Sequence, residues 1–87
     1  MLKLIENSGT SRDEAIVIET DNHVVGVMVE YAYLEKRFGE RGQAWELEAQ
    51  LLMTSDDGKR SYDAFALNFP DGTSTTVYFD ITSFFGT

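Results

Sequence analysis

From Trp45 to Ile81 apolar and polar side chains alternate in three runs, broken at Asp56-Asp57-Gly58 and at Pro70-Asp71-Gly72. Alternation with a period of two marks a strand with one buried face, so this stretch predicts three strands joined by two turns, an antiparallel meander. Both turns end in glycine, and each suits a three-residue hairpin loop: a type I turn followed by a left-handed residue, with Pro70 presetting the second. Loop length fixes register. With three-residue loops Trp45 falls opposite Phe69, Leu47 opposite Leu67 and Ala49 opposite Phe65, while Phe65 meets Val77 and Asp63 meets Phe79. The odd-numbered residues then share one apolar face, carrying Trp45, Leu47, Ala49, Leu51, Met53, Phe65, Leu67, Phe69, Val77, Phe79 and Ile81. The even-numbered residues form the other face, with Leu52, Tyr62 and Asp80 in one row and Gln50, Ala64 and Tyr78 in the next.

Ahead of the meander, the run Tyr31 to Gly39 reads as the end of a helix near Phe38. Lys36 and Arg37 face the negative dipole end, and Gly39 caps it. Its start is open on sequence grounds. Val24, Met28, Tyr31, Leu34 and Phe38 have the spacing of one helical stripe, and Asp21 or Asn22 supplies an N-cap. The β-branched Val24, Val25, Val27 and Val29 around Gly26 instead suit a strand, which would pair Ile18 with Val25 and Ile16 with Val27 across an Asp21-Asn22 turn. The stripe runs unbroken into the helix end, which favours the long helix over residues 22–30. Residues Ala15 to Thr20 read as a strand in either case, although Ser11-Arg12-Asp13-Glu14 has the form of a capping box. Residues 1–14 fit an edge strand, a short helix or an arm equally well. Phe84-Phe85, after the last strand, is expected to fold back under the sheet, with docking on a second copy as the alternative.

The expected fold is therefore α+β: an antiparallel sheet of the C-terminal meander plus one or two N-terminal strands, with one helix covering the odd face. A chain of 87 residues is the size of one small domain, residues 1–87. Apolar residues at 43% and charged residues at 25% are ordinary for a folded protein. The chain has no cysteine, which excludes disulfides and thiolate chemistry and fits a reducing, cytoplasmic setting. No apolar run approaches the ~20 residues of a membrane span, and the charged start does not resemble a secretory signal.

Fifteen acids against seven bases give a net charge of −8, which repels nucleic-acid phosphate and anionic lipid and attracts a basic partner. Candidate chemistry adds little. His23 is the one histidine and lacks a nucleophile motif, so it reads as a residue at an exposed turn or helix start. The Asp-Gly turns lack the alternating oxygen ligands and closing glutamate of a calcium loop. Gly39-Glu40-Arg41-Gly42 has the Gly-x-x-Gly spacing of a KH loop, but a strand follows it and the surface is acidic. No metal or organic cofactor is implied. Asp63 is the unusual position, a carboxylate on the apolar face between Leu51 and Phe79, where solvent, Lys59 or Arg60 is expected to reach it.

The even face is the expected binding surface, with Tyr62 and Tyr78 as contacts, Leu52 beside Tyr62 and the acids Glu46, Glu48 and Asp80 at the rim. Such a face suits a non-catalytic binding module, an inhibitor, an immunity-like factor or a host-defence antagonist that occupies a basic site on a partner protein. The alternative is a self-associating subunit, a homodimer formed through an edge strand or a sheet face. Catalysis by paired carboxylates such as Glu46 with Glu48 or Asp80 is the remaining class, and no motif supports it.

Overall fold

A computed structural model describes residues 2–86. In chain order the elements are β1 (Lys3–Ile5), β2 (Ile16–Glu19), α1 (His23–Phe38), β3 (Glu46–Thr54), β4 (Ser61–Asn68) and β5 (Ser74–Asp80). The strands form one five-stranded sheet in the order β1-β2-β5-β4-β3. The fold is α+β, but the sheet is mixed, not purely antiparallel: β2 runs parallel to β5, Ile16 beside Phe79 and Val17 beside Asp80. The helix crossing between β2 and the meander makes that possible, because a parallel neighbour needs a long return connection.

Residues 22–30 are helical. The side chain of Asn22 accepts a hydrogen bond from the Val25 N–H at 3.1 Å, which caps the first turn. Gly26 has a packing reason: a Cβ there would come within 2.5 Å of the Phe84 ring, so only glycine lets the C-terminal segment pass under the helix. The stripe expected to face the core is displaced. Val24 and Met28 are 64% and 65% exposed, and the buried line is Gly26, Glu30 and Leu34, flanked by Val29, Tyr31, Tyr33 and Phe38. Counting apolar residues missed this line because two of its three members are a glycine and a glutamate.

The core lies between α1 and one sheet face. It gathers Ile16, Ile18, Leu34, Trp45, Phe65, Leu67, Val77, Phe79, Ile81 and Phe84. Tyr31 meets Phe65 edge-on with ring centres 5.4 Å apart, and Tyr33 meets Phe79 at 5.7 Å. Phe84 folds back into this core while Phe85 stays exposed, and the Ser83 hydroxyl ties the segment to the Ile18 and Thr20 carbonyls. The capping-box sequence makes a single turn, not a helix, with the Glu14 N–H bonded to Ser11, and β1 is the short edge strand.

The two hairpins differ. Between β4 and β5, Phe65 pairs with Val77 and Asp63 with Phe79, and Phe69 and Thr73 close a three-residue loop of Pro70, Asp71 and Gly72. Gly72 takes the positive φ of 88° that this loop requires. Between β3 and β4 the three-residue loop is not formed. The Ser55 N–H donates to the Arg60 carbonyl, enclosing four residues, Asp56 to Lys59. The Ser55 hydroxyl, 2.7 Å from Asp57 and 3.0 Å from the Arg60 N–H, belongs to the closure and lengthens the turn. The register moves by one residue and Ala49 pairs with Ala66, Gln50 with Phe65 and Leu52 with Asp63. A bulge between Leu47 and Ala49 restores the pairing of Leu47 with Leu67.

Candidate functional site

Because of this slip, β3 changes faces partway along. Leu51 and Met53, expected beneath the helix, join Ala64 and Tyr62 on the open face, whereas Leu52 and Gln50 join Asp63 and Phe65 on the covered one. The Tyr31 hydroxyl reaching Gln50 at 3.5 Å confirms the side. Leu52 therefore leaves the expected binding face.

The open face carries two rows. One runs across all five strands through Met53, Tyr62, Asp80, Val17 and Ile5; the other holds Leu51, Ala64 and Tyr78. Tyr62 and Tyr78 are half-buried, and Leu51 is 61% exposed. Glu46 lies at the far end of this face beside Asn68, and Glu48 is exposed at the bulge. Asp80 is not a rim acid. It is buried, accepts hydrogen bonds from the Thr82 N–H at 3.0 Å and hydroxyl at 2.6 Å, and lies 3.6 Å from Arg60. The expected set thus divides: Tyr62 and Tyr78 share a patch with Leu51 and Met53, Glu46 and Glu48 stand apart at one end, Asp80 is buried next to Tyr62 in the same row, and Leu52 lies on the other face.

A second constellation lies under the helix. Glu30 is wholly buried and opposes Asp63, itself nearly buried. Neither Glu30 oxygen has a hydrogen-bond donor, since two carboxylates are both acceptors. A proton on Glu30 resolves the conflict by bonding it to Asp63. Burial is the main force pushing the Glu30 pKa from 4.5 up to about 10, and the hydrogen bond to Asp63 and the repulsion of its charge add to it. Asp63 was legible in the register; Glu30 was not, because it falls within the helical stretch where charged residues usually face water. Glu30 has no exposed surface and Asp63 retains only 8%. Among the described residues no three metal-ligating side chains come together. His23 opens α1, exposed and edge-on to Phe84.

In the turns, Asp57 is held below the usual carboxylate range by the Ser55 hydroxyl and the Lys59 N–H, and Asp71 by the Thr73 hydroxyl and N–H. These bonds shape loops. Surface clefts of about 170 to 220 Å³ fall short of the ~300 Å³ at which small-molecule sites begin. No helix among the described residues is long and apolar enough to cross a membrane. Compared with protein families, curated proteins and solved structures, the chain matches none.

Proposed function

We propose that the protein is a non-catalytic binding module that engages a basic partner protein through the open face of its sheet, as an inhibitor or immunity-like factor would, in a cytoplasmic setting. The observation that carries the reading is the patch of exposed Leu51 with half-buried Met53, Tyr62 and Tyr78, on the sheet face away from the helix, with Arg12 and Asp13 lining a cleft at its Tyr62 edge. A tyrosine pair brings contact area at little entropic cost, and the exposed Leu51 beside it adds apolar surface. The net charge of −8, with Glu46 and Glu48 at one end of the face, favours a cationic partner and speeds its approach. Shallow clefts suit a macromolecular surface better than a metabolite.

The test is capture from native extract on wild type and on a Tyr62→Ala/Tyr78→Ala variant whose circular dichroism matches it. Proteins retained by wild type, lost from the variant and released by salt are the expected result. Equal recovery on both removes the open face as the site.

A further inference from the structure

Strand β3 is the outermost strand of the sheet, runs nine residues, and has no buried position. Edge strands of folded proteins are usually short or guarded by lysine or proline, because their free backbone groups recruit another strand. Here the run Ala49 to Thr54 is regular and has no cation and no proline.

The ladder shows which groups are free. Ser55 donates inward to Arg60, and Phe69 donates to Thr73, which turns the odd positions of β4 toward β5 and its even positions toward β3. Past the bulge those even positions pair with Ala49, Leu51 and Met53. The N–H and C=O groups of Gln50, Leu52 and Thr54 therefore point away from the sheet, with no backbone partner among the described residues. Flanking them, Leu51 and Leu52 are 61% and 56% exposed on opposite faces. A partner lying over one face covers only one of these leucines. A strand laid alongside covers both.

We propose that β3 pairs antiparallel with β3 of a second copy about a two-fold axis at Leu52, joining two sheets into one. The motif is self-complementary in that register. Leu52 meets Leu52 of the second copy and Gln50 meets its Thr54, all with outward backbone groups. Leu51 meets Met53 on the other face. At each end Glu46 and Glu48 approach the second copy's turn, where Lys59 and Arg60 offset Asp56 and Asp57, so the turn itself is neutral and the two glutamates leave each end negative. The opposing term is the −8 charge of each chain, a long-range repulsion that salt screens. Pairing of one short strand falls toward the small end of the ~1,200–2,000 Å² typical of stable interfaces, so the dimer is weak and appears at about 0.1 mM and above. This inference stands apart from the binding reading and uses a different surface.

Sedimentation at about 0.01 to 1 mM protein, in low and high salt, reads the mass directly. The expected result is a rise from 9.8 kDa toward twice that value, stronger in high salt, with amide exchange slowing at Gln50, Leu52 and Thr54 as protein concentration rises. The decisive variant is Leu52→Pro, which deletes an outward N–H and no bond within the sheet. It is expected to lower the association constant at least tenfold while the Tyr62→Ala/Tyr78→Ala variant associates normally. Leu52→Lys, which keeps every backbone group and adds a like charge at the axis, serves the same purpose if proline unfolds the chain. Wild type monomeric at about 1 mM in high salt overturns the proposal, as does undiminished association of the folded Leu52 variant or dimerisation without protection of the three amides.

Discussion

Strands β4 and β3 lie side by side and bury their side chains to opposite extents. In β4, Ser61, Asp63, Ala64, Phe65 and Leu67 are all buried; β3, one residue longer, buries none of its nine. Both sequences alternate well enough to be strands. The difference comes from what lies above them: Tyr31 and Tyr33 of α1 set their rings on Phe65 and Phe79, while on β3 Leu47 is partly buried against the core and the Tyr31 hydroxyl reaches Gln50 at 3.5 Å. Alternation tells which side chains share a face. It does not tell how far a cover extends, and a strand beyond that limit is held by its ladder more than by its side chains.

The sharpest way to break this contrast is at its buried centre. Phe65 is fully buried between Tyr31 and Phe79, with ring centres 5.4 and 5.5 Å away. Phe65→Ala removes the common partner of both and leaves a cavity that rigid strands on either side cannot close. The expected loss is about 3–5 kcal/mol in urea unfolding, enough to leave a small domain marginal. A loss below about 1 kcal/mol would mean that the helix and sheet are not packed as described.

Glu30 sharpens the comparison from above, as the charged exception inside the cover. Its folded pKa is about 10 against 4.5 for the free side chain. Below the lower value both states hold the proton, and the group has no effect on stability. Between the two values the unfolded chain gives the proton up and the folded chain keeps it, so stability falls as pH rises, by at most about 1.4 kcal/mol per pH unit. Glu30→Gln keeps the shape, donates an amide hydrogen to Asp63 and cannot ionise in either state. It is expected to stabilise the protein at about pH 8 by roughly 1–3 kcal/mol and to flatten the decline in stability between about pH 5 and 9. Thermal melts across that range for both proteins check the sign. A wild-type profile as flat as the variant's would mean that Glu30 meets water.

How much of this was legible follows the same division. The β4–β5 hairpin could be derived because Pro70-Asp71-Gly72 leaves one loop length open and that length puts Phe65, Leu67, Phe69, Val77 and Phe79 on one face. The first turn has the same Asp-Gly signature, yet Ser55 bonds both across and along the loop and Asp57 accepts from the Lys59 N–H, a preference that only the closed geometry makes visible. One extra loop residue was enough to exchange Leu51 with Leu52 between faces and to take Leu52 out of the expected binding set. Tyr62 and Tyr78 kept their places because they sit on the hairpin whose register was determined. The parallel β2–β5 pairing was hidden for another reason: nothing in a strand as short as Ile16–Glu19 says which edge it will join.

The smallest expected effect is the most discriminating for β3. Leu51→Ser removes a large apolar side chain from the middle of a nine-residue strand, a change that in β4 would cost several kcal/mol. Here the side chain is 61% exposed, its neighbour across the ladder is Ala64, and its inward backbone bonds survive the substitution. Urea midpoints measured in dilute solution, where each chain stands alone, are expected to differ from wild type by no more than about 0.5 kcal/mol. The same substitution should weaken self-association at high concentration, since Leu51 packs against Met53 of the second copy only in the paired state. A stability loss above about 1.5 kcal/mol in the isolated chain would place Leu51 in the monomer's own core and remove the reason for leaving β3 uncovered.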